Sequence, residues 1–361
     1  MSFVERTFGV YPWDVADGEP REQLQRLCGL GANSLSIPFS YHSLCAVAPH
    51  RNSRKMIQAS AAVCFRPRPG EFPATGIQPR CSEWSSDEGP VPGLTAMAKE
   101  SGLRICAWTV VFHNSPLASA NPDAAITNCF GDVFAHALCP SVPKSRDYAL
   151  CLTRAVAARP VVAIELEAAG YYGYEHFSHH DKCGIVFDLF HHFLFSCCFC
   201  AHCRRAFQAA DLDVHLIEEK FRKCLQQFFD GEQSDCGSAQ QAMAQLHELV
   251  GEATANLLVR VRIETVLNLP QEIRNSIPSA IELTISSGLS PFECSALFGA
   301  EPREIAQLLT ACCWWFSSRR SELFANALML LWQLYRTPLA GSPGFASFRR
   351  PSARKLKSSC D

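Results

Sequence analysis

The sequence predicts an α/β fold, with a (β/α)8 TIM-type barrel as first choice and a doubly wound open sheet as second. Three observations carry this reading. Short β-like runs alternate with helical patterns over the first two thirds of the chain, the crossovers are long enough to bring strands back parallel, and long loops follow the strand ends. The open sheet ranks second because "GVYPWDVADG", after the first strand, lacks a Gly-rich phosphate turn.

The elements follow in order. "TFGVYPWD" is a strand that ends at a turn with Asp17 and Gly18, and "PREQLQRLCGLG" places Leu24, Leu27 and Cys28 at helical spacing. "NSLSIPF" is the second strand. After a Pro/Arg-rich loop, "GLTAMAKESGLRICAWTVVF" gives a helix, a stop at Gly102 and the third strand. Residues Arg146 to Ala158 form a helix leading into "PVVAIELE", and Gln240 to Ile277 form a helical region, interrupted near Pro270, leading into "AIELTISS". Loops at 39–92, 113–140 and 168–237 fall where a barrel keeps its catalytic face.

The rhythm stops after the fifth strand. The segment from "CCWWF" onward is rich in Ser, Arg and aromatics, so the barrel is expected to be incomplete or altered at its C-terminal end. The expected organisation is a catalytic-type barrel over 1–309 with a Cys/His-rich insertion at about 170–237. Residues 310–361 then form an atypical segment, a helix followed by a disordered basic tail. The expectation is that a natural barrel is truncated here or replaced by out-of-frame sequence beginning near codon 310; an intact frame in independent isolates counts against it.

Bulk composition narrows the function classes. Hydrophobic residues are 48% and charged residues 19% of 361, which suits a globular chain with a sizeable core. A net charge of -2 offers no field for nucleic acid or an anionic membrane, so a small neutral partner is expected. The N-terminus has no basic region followed by an apolar run. The longest apolar candidate span, Leu323 to Tyr335, is short and contains Asn326 and Gln333. A cytoplasmic location follows as an expectation, with the 19 cysteines as reduced thiols or metal ligands.

"SCCFCAHC", Ser196 to Cys203, packs four cysteines and a histidine into eight residues, and seven of the 12 histidines fall between His176 and His215. Cys198, Cys200 and Cys203 form C-x-C-x2-C, a spacing that suits tetrahedral Zn2+ in a structural role. The fourth ligand stays open among His202, Cys197, Cys183 and the group His176, His179 and His180. Half of an iron-sulfur site is a weaker alternative, and a cluster of buried apolar thiols is the bland one.

The other chemically suggestive stretch is "VVAIELEAAGYYGYEH". Strand alternation puts Glu165 and Glu167 on one side and Ile164 and Leu166 on the other. If the apolar pair meets the helices, both carboxylates face inward and their repulsion raises one pKa toward that of a general acid. An exposed or ion-paired structural role is the alternative. Polar and aromatic groups recur at the other strand ends: Trp13 and Asp14, Tyr41 and His42, Trp108, His113 and Asn114. Glu282 lies within the fifth strand. Aromatic faces beside carboxylates are what a sugar site needs.

Taken in order, "GANSLSIPFSYHS", "AWTVVFHNS", "LCPSVPKSRDYA", "IELEAAGYYGYEHFSHHDK" and "CFCAHCRRAF" resemble a mainly bacterial family of uncharacterised proteins akin to glycoside hydrolase-like TIM barrels, over about residues 5 to 305. The resemblance implies a sugar-active barrel. Glu167 would be its catalytic acid or base and Glu165 the neighbour; Asp14, Trp13, Tyr41, His42, Trp108, His113, Asn114, Tyr174 and His176 are the candidate substrate-pocket residues. Two departures stand out: Leu166 replaces the Asn that precedes the glutamate in many retaining enzymes, and no seventh-strand partner is found. The expected function is a glycoside hydrolase-like protein acting on or binding a carbohydrate. The alternatives are a zinc-dependent hydrolase built on the Cys/His cluster and a non-catalytic carbohydrate-binding barrel.

Overall fold

A computed structural model describes residues 5–49, 51, 55–74, 76–174, 184–231, 236–287 and 313–314. All of these lie in one compact unit, Met1–Ser317; a second unit, Ser318–Asp361, lies outside the described residues together with the expected basic tail.

The five expected strands are β1 (Thr7–Gly9), β2 (Ser34–Tyr41), β7 (Arg104–Val110), β10 (Ala163–Glu167) and β11 (Glu282–Ser287). Each pairs parallel with the next. Parallel pairing demands a covering layer on the apolar face, and the crossover helices α2 (Pro20–Gly29), α3 (Leu94–Glu100), α5 (Pro143–Ala157) and α10 (Glu252–Ser276) supply it. Along the register Ile37, Ala107, Ile164 and Leu283 align across four strands, and Thr109, Leu166 and Ile285 align across three. All seven are fully buried. The opposite face carries Ser34, Ser36, Cys106, Trp108, Glu165, Glu167 and Thr284.

Several features differ from the sequence expectation. The loop expected at 39–92 contains four strands: β3 (Leu44–Val47) and β4 (Met56–Ala59) form a hairpin, while β5 (Ala62–Phe65) pairs antiparallel with the end of β2 and parallel with β6 (Cys81–Ser86). The sheet is therefore mixed. β1 reaches only the first half of the longer β2, and β5 covers the edge that β1 leaves open. The loop at 113–140 likewise holds α4 (Ser115–Ala120) and the antiparallel pair β8 (Ala125–Thr127) and β9 (Val133–Leu138). Finally, β12 (Cys313–Trp314), inside the segment expected to lack βα rhythm, pairs parallel with β11.

The insertion after β10 contributes α6 (Leu189–Ser196), α7 (Ala201–Ala209), α8 (Val214–Phe229) and α9 (Ala239–Val250). The helical region before β11 breaks at Gly251, not at Pro270. Gly251 has φ 91 and ψ 145, a conformation open essentially to glycine alone, whereas α10 runs through Pro270. Pro270 is itself buried between Leu269 and Ile273, so packing outweighs the hydrogen bond that proline cannot donate.

One buried ion pair locks the α5 to β10 turn to the β5–β6 connection. The Arg159 side chain is 0% exposed, donates from Nη2 to the Arg66 carbonyl at 2.7 Å and to Glu71 Oε2 at 3.0 Å, and lies 4.3 Å from the Phe65 ring centroid. Removing one partner leaves a desolvated charge. Arg159→Ala is expected to lower unfolding free energy by about 3 kcal/mol in urea titrations; a change under about 1 kcal/mol would mean the Glu71 carboxylate is rescued by water.

Candidate active site and cysteine centre

The polar face of β10 builds the first site. Ile164 and Leu166 anchor the strand in the apolar layer, so Glu165 and Glu167 must emerge on the other side. Glu165 stands in register with Trp108 and accepts a hydrogen bond from Ser36 Oγ at 2.8 Å. Glu167, the last residue of the strand, accepts one from Trp108 Nε1 at 2.5 Å. The next residue, Ala168, is fully buried with φ 51, a left-handed conformation that costs a non-glycine residue energy and turns the chain sharply after the carboxylate.

Burial pushes the Glu167 carboxyl up to about 7; the Glu165 charge adds to the rise, while the Trp108 hydrogen bond opposes it. Glu167 is thus poised between its two protonation states near neutrality, as a general acid or base requires.

An aromatic array flanks it. Tyr11 and Tyr41 share a hydrogen bond of 3.0 Å between their hydroxyls, and Tyr41 meets Trp108 edge-on with ring centroids 4.9 Å apart. Stacking continues from Tyr41 to His42 (4.2 Å), to His113 (4.8 Å) and to Tyr172 (4.5 Å). Burial raises both tyrosine hydroxyls and lowers the His42 imidazole, so these groups are neutral at physiological pH. Such a wall presents ring faces and uncharged hydrogen-bonding groups. Beside it, the cleft lined by Tyr11, Trp13, Tyr41, His42 and Trp84 is too narrow for more than a water molecule.

Several expected pocket residues sit elsewhere. Trp13 is 4% exposed, stacked at 4.5 Å on the back of Tyr11 and packed with Ile57 and Ala48. Asp14 accepts the Tyr11 backbone N–H at 2.9 Å in the short helix α1 (Pro12–Ala16). Asn114 caps α4, its Oδ1 accepting from Leu117 N at 3.1 Å. Tyr174 belongs to the insertion, edge-on to Phe195 at 4.8 Å, and His176 lies outside the described residues. Conversely, sequence reasoning passed over Tyr11, Ser36 and Tyr172. Tyr11 stands two residues before Trp13 and Tyr172 within "AGYYGYEH", so the aromatic spacing of both stretches was the available signal.

The second site is made of thiols. Cys139, just after β9, meets Cys198, Cys200 and Cys203, with all four Sγ atoms within 4.8 Å of one another and all four residues buried. Cys139 Sγ lies 3.6 Å from Cys203 and 3.7 Å from both Cys198 and Cys200. The Thr127 and Cys200 backbone N–H groups point at Cys198 Sγ, at 3.4 and 3.5 Å. Hydrogen bonds from the other three thiols hold Cys200 well below the usual thiol range, while burial drives Cys139 and Cys198 up. The buried Arg262 guanidinium lies 4.1 Å from the Tyr171 ring centroid, with Nη1 3.7 Å from Cys197 Sγ.

The fourth member is thus Cys139. His202 is half-exposed beside Arg205 Nη2, at 3.0 Å, and does not join the group. It follows from helix geometry: His202 precedes Cys203 on α7 and points about 100° away from it. Cys197 faces Arg262, and Cys183, His179 and His180 lie outside the described residues. Four thiols at these separations suit a tetrahedral soft or borderline cation, and backbone N–H groups aimed at sulfur stabilise thiolate charge.

A scan of protein-family models and a search of curated proteins gave no match. Among solved structures, the chain is similar to α-L-fucosidase isoenzyme 2 from Paenibacillus thiaminolyticus at 14% identity and TM-score 0.43, covering 78% of this chain and 32% of that one. It is similar to a β-galactosidase from the psychrophilic Marinomonas ef1 at 10% identity and TM-score 0.45, covering 86% and 40%. The catalytic domain of β-amylase from Paenibacillus polymyxa gives 9% identity and TM-score 0.43, covering 86% and 76%. The chain spans about a third of the length of the fucosidase and two fifths of that of the β-galactosidase.

The electrostatics of Glu167 make opposite expectations for two neighbours. Glu165→Gln removes a like charge and is expected to lower the Glu167 pKa; Trp108→Phe removes a stabilising donor and is expected to raise it. Carbon-13 titration of the Glu167 carboxyl reads both, and shifts of the same sign would overturn this account. Because the folded carboxyl titrates above its unfolded value of about 4.3, its contribution to stability is full below pH 4 and is lost as pH rises toward 7.

Proposed function

We propose that this chain is a glycoside hydrolase-like protein with a barrel of the (β/α)8 type, in which Glu167 serves as general acid or base toward a carbohydrate. The observation that carries the reading is the half-buried Glu167 carboxyl, raised to about 7 at the C-terminal end of a parallel strand and held by Trp108. In its protonated form Glu167 gives its proton to a departing glycosidic oxygen, and the Trp108 N–H holds the carboxylate that results. Glu165 is the second carboxylate of choice because it shares the face. Two further carboxylates near strand ends are engaged: Asp14 in the α1 cap, and Glu282 with Arg104 Nη2 at 2.7 Å. The aromatic wall, with Tyr11, Tyr41 and His42 neutral, supplies stacking surface and hydrogen bonds for uncharged hydroxyls.

Glu167→Gln is expected to reduce turnover of a responsive aryl glycoside by about 10²- to 10⁴-fold while leaving sugar binding within a few-fold. Sugar binding without turnover in either form would make the protein a carbohydrate-binding barrel. Neither binding nor turnover across a broad glycoside panel would remove the sugar reading altogether.

The cysteine group is read as a structural Zn2+ site. Four thiolates complete a tetrahedron and leave no position for a reactive water, which disfavours the zinc-dependent hydrolase alternative. Purified protein is expected to carry about one zinc per chain, and Cys139→Ser to lose it. Chelation should then lower the melting temperature in parallel with any activity; loss of activity with an unchanged melting temperature would restore the catalytic-metal reading.

A further inference from the structure

A different trio of side chains lies in the insertion, formed by α6 and α8. Asp188, the N-cap of α6, holds the His191 ring: His191 Nδ1 is 2.9 Å from Asp188 Oδ1 and 3.1 Å from Oδ2. With the Nδ1 proton shared with the carboxylate, the Nε2 lone pair faces outward and lies 3.8 Å from Cys224 Sγ on α8. Phe228, one turn beyond Cys224 on the same helix, stacks flat on the imidazole at 4.0 Å and 11°. His191 is 5% exposed, whereas Cys224 is only partly buried. Among the described residues, the charged groups on the neighbouring helices are committed elsewhere or turned outward. Lys220 Nζ donates to the Leu249 carbonyl, Arg222 to the Cys129 carbonyl, His247 of α9 bonds Asn256, and Lys223 is exposed.

We propose that Cys224, His191 and Asp188 form a reactive-thiol site that exchanges with low-molecular-weight disulfides. Nucleophile, base and orienting carboxylate are in order and within reach of one another, the arrangement that activates a thiol. The reaction class follows from what surrounds the sulfur. Cys224 sits in the interior of α8, where neighbouring backbone N–H groups serve the helix and cannot form a pocket for a tetrahedral oxyanion, which weighs against acyl transfer. Disulfide exchange needs only a thiolate, access and a proton for the leaving group. The Cys224 thiol passes its proton to His191 Nε2. Its Sγ electron pair then forms a bond to the near sulfur of RSSR as the RS–SR bond breaks, and the departing sulfur takes the proton from the imidazolium. The balance is Cys224–SH plus RSSR giving Cys224–S–SR plus RSH. Asp188 acts through His191 as a positioning residue. This site is separate from the thiol cluster, whose members are buried and hold one another.

The full-length protein treated with oxidised glutathione at pH 6.5, followed by peptide mapping of mixed disulfides, tests this. Exposed Cys45 is the internal reference. An ordinary thiol of pKa about 8.5 is about 1% thiolate at that pH, so Cys224 is expected to react at least about tenfold faster than Cys45. His191→Gln should bring it to the Cys45 rate or below, and Asp188→Asn should shift the pH profile of Cys224 upward while leaving Cys45 unchanged. A wild-type profile that holds a plateau below pH 7 supports the proposal even if a variant fails to fold. A Cys224 rate no greater than that of Cys45, or one indifferent to His191→Gln in a folded variant, overturns it.

Discussion

Strand alternation on β10 is the constraint on which both core and site depend. Ile164 and Leu166 align with Ala107, Thr109, Leu283 and Ile285 in a continuous apolar layer, and that layer fixes the register of three strands at once. A slip of one residue would bury two carboxylates against helices and expose two large aliphatic side chains, a change far costlier than any local adjustment. The position of Glu167 beside Trp108 is therefore set by the packing of its neighbours, before any interaction of its own is counted.

The same geometry sets the chemistry of Glu167. Burial at the end of the strand favours the neutral acid, and the nearby Glu165 charge pushes the same way, so a single indole donor is left to hold the ionised form. Among the described residues the influences on Glu167 are burial, the Glu165 charge and the Trp108 donor, and their balance lies near neutrality. The strained Ala168 immediately after the carboxylate fits a chain directed by its surroundings, with the fully buried Ala168 and Ala169 paying for the turn through packing.

What was legible in the sequence was the part governed by local period. The five parallel strands and the alternation in "AIELE" follow from residue spacing, and the structure has them in the expected order. β3 to β6 were hidden because they are four to six residues long and lie among prolines and arginines, where no run long enough to show a period exists. Cys139 was hidden for a different reason: it meets Cys198 across 59 positions of chain, and no spacing rule reports contacts made by folding. Trp13, Asp14 and Asn114 were read as pocket residues from their places at strand ends; the structure has Asp14 and Asn114 bonded to local backbone, and Trp13 stacked behind Tyr11 at the edge of the narrow cleft. Residue type identifies what a side chain can do, and only the placement of its neighbours decides which use it is put to.

The thiol cluster bears on the carboxylate site through the chain segments that it joins. Cys139 lies in the link that leads into α5, the helix that packs behind β10; of the other three, Cys198 and Cys200 precede α7 in the insertion and Cys203 lies in its first turn. Tyr171, four residues after Glu167, hydrogen-bonds Ser141 at 2.5 Å and lies 3.6 Å from Cys203 Sγ. The segment leaving β10 is thus tied to the cluster on one side and to the Arg262 guanidinium stacked on Tyr171 on the other. Ordering these long connections costs roughly 1 to 2 kcal/mol per residue, and the named elements of the insertion are helices. The thiol cluster at the root of the insertion brings the β10 exit and the α5 link together, beside the loop whose Tyr172 stacks on His113 in the aromatic wall.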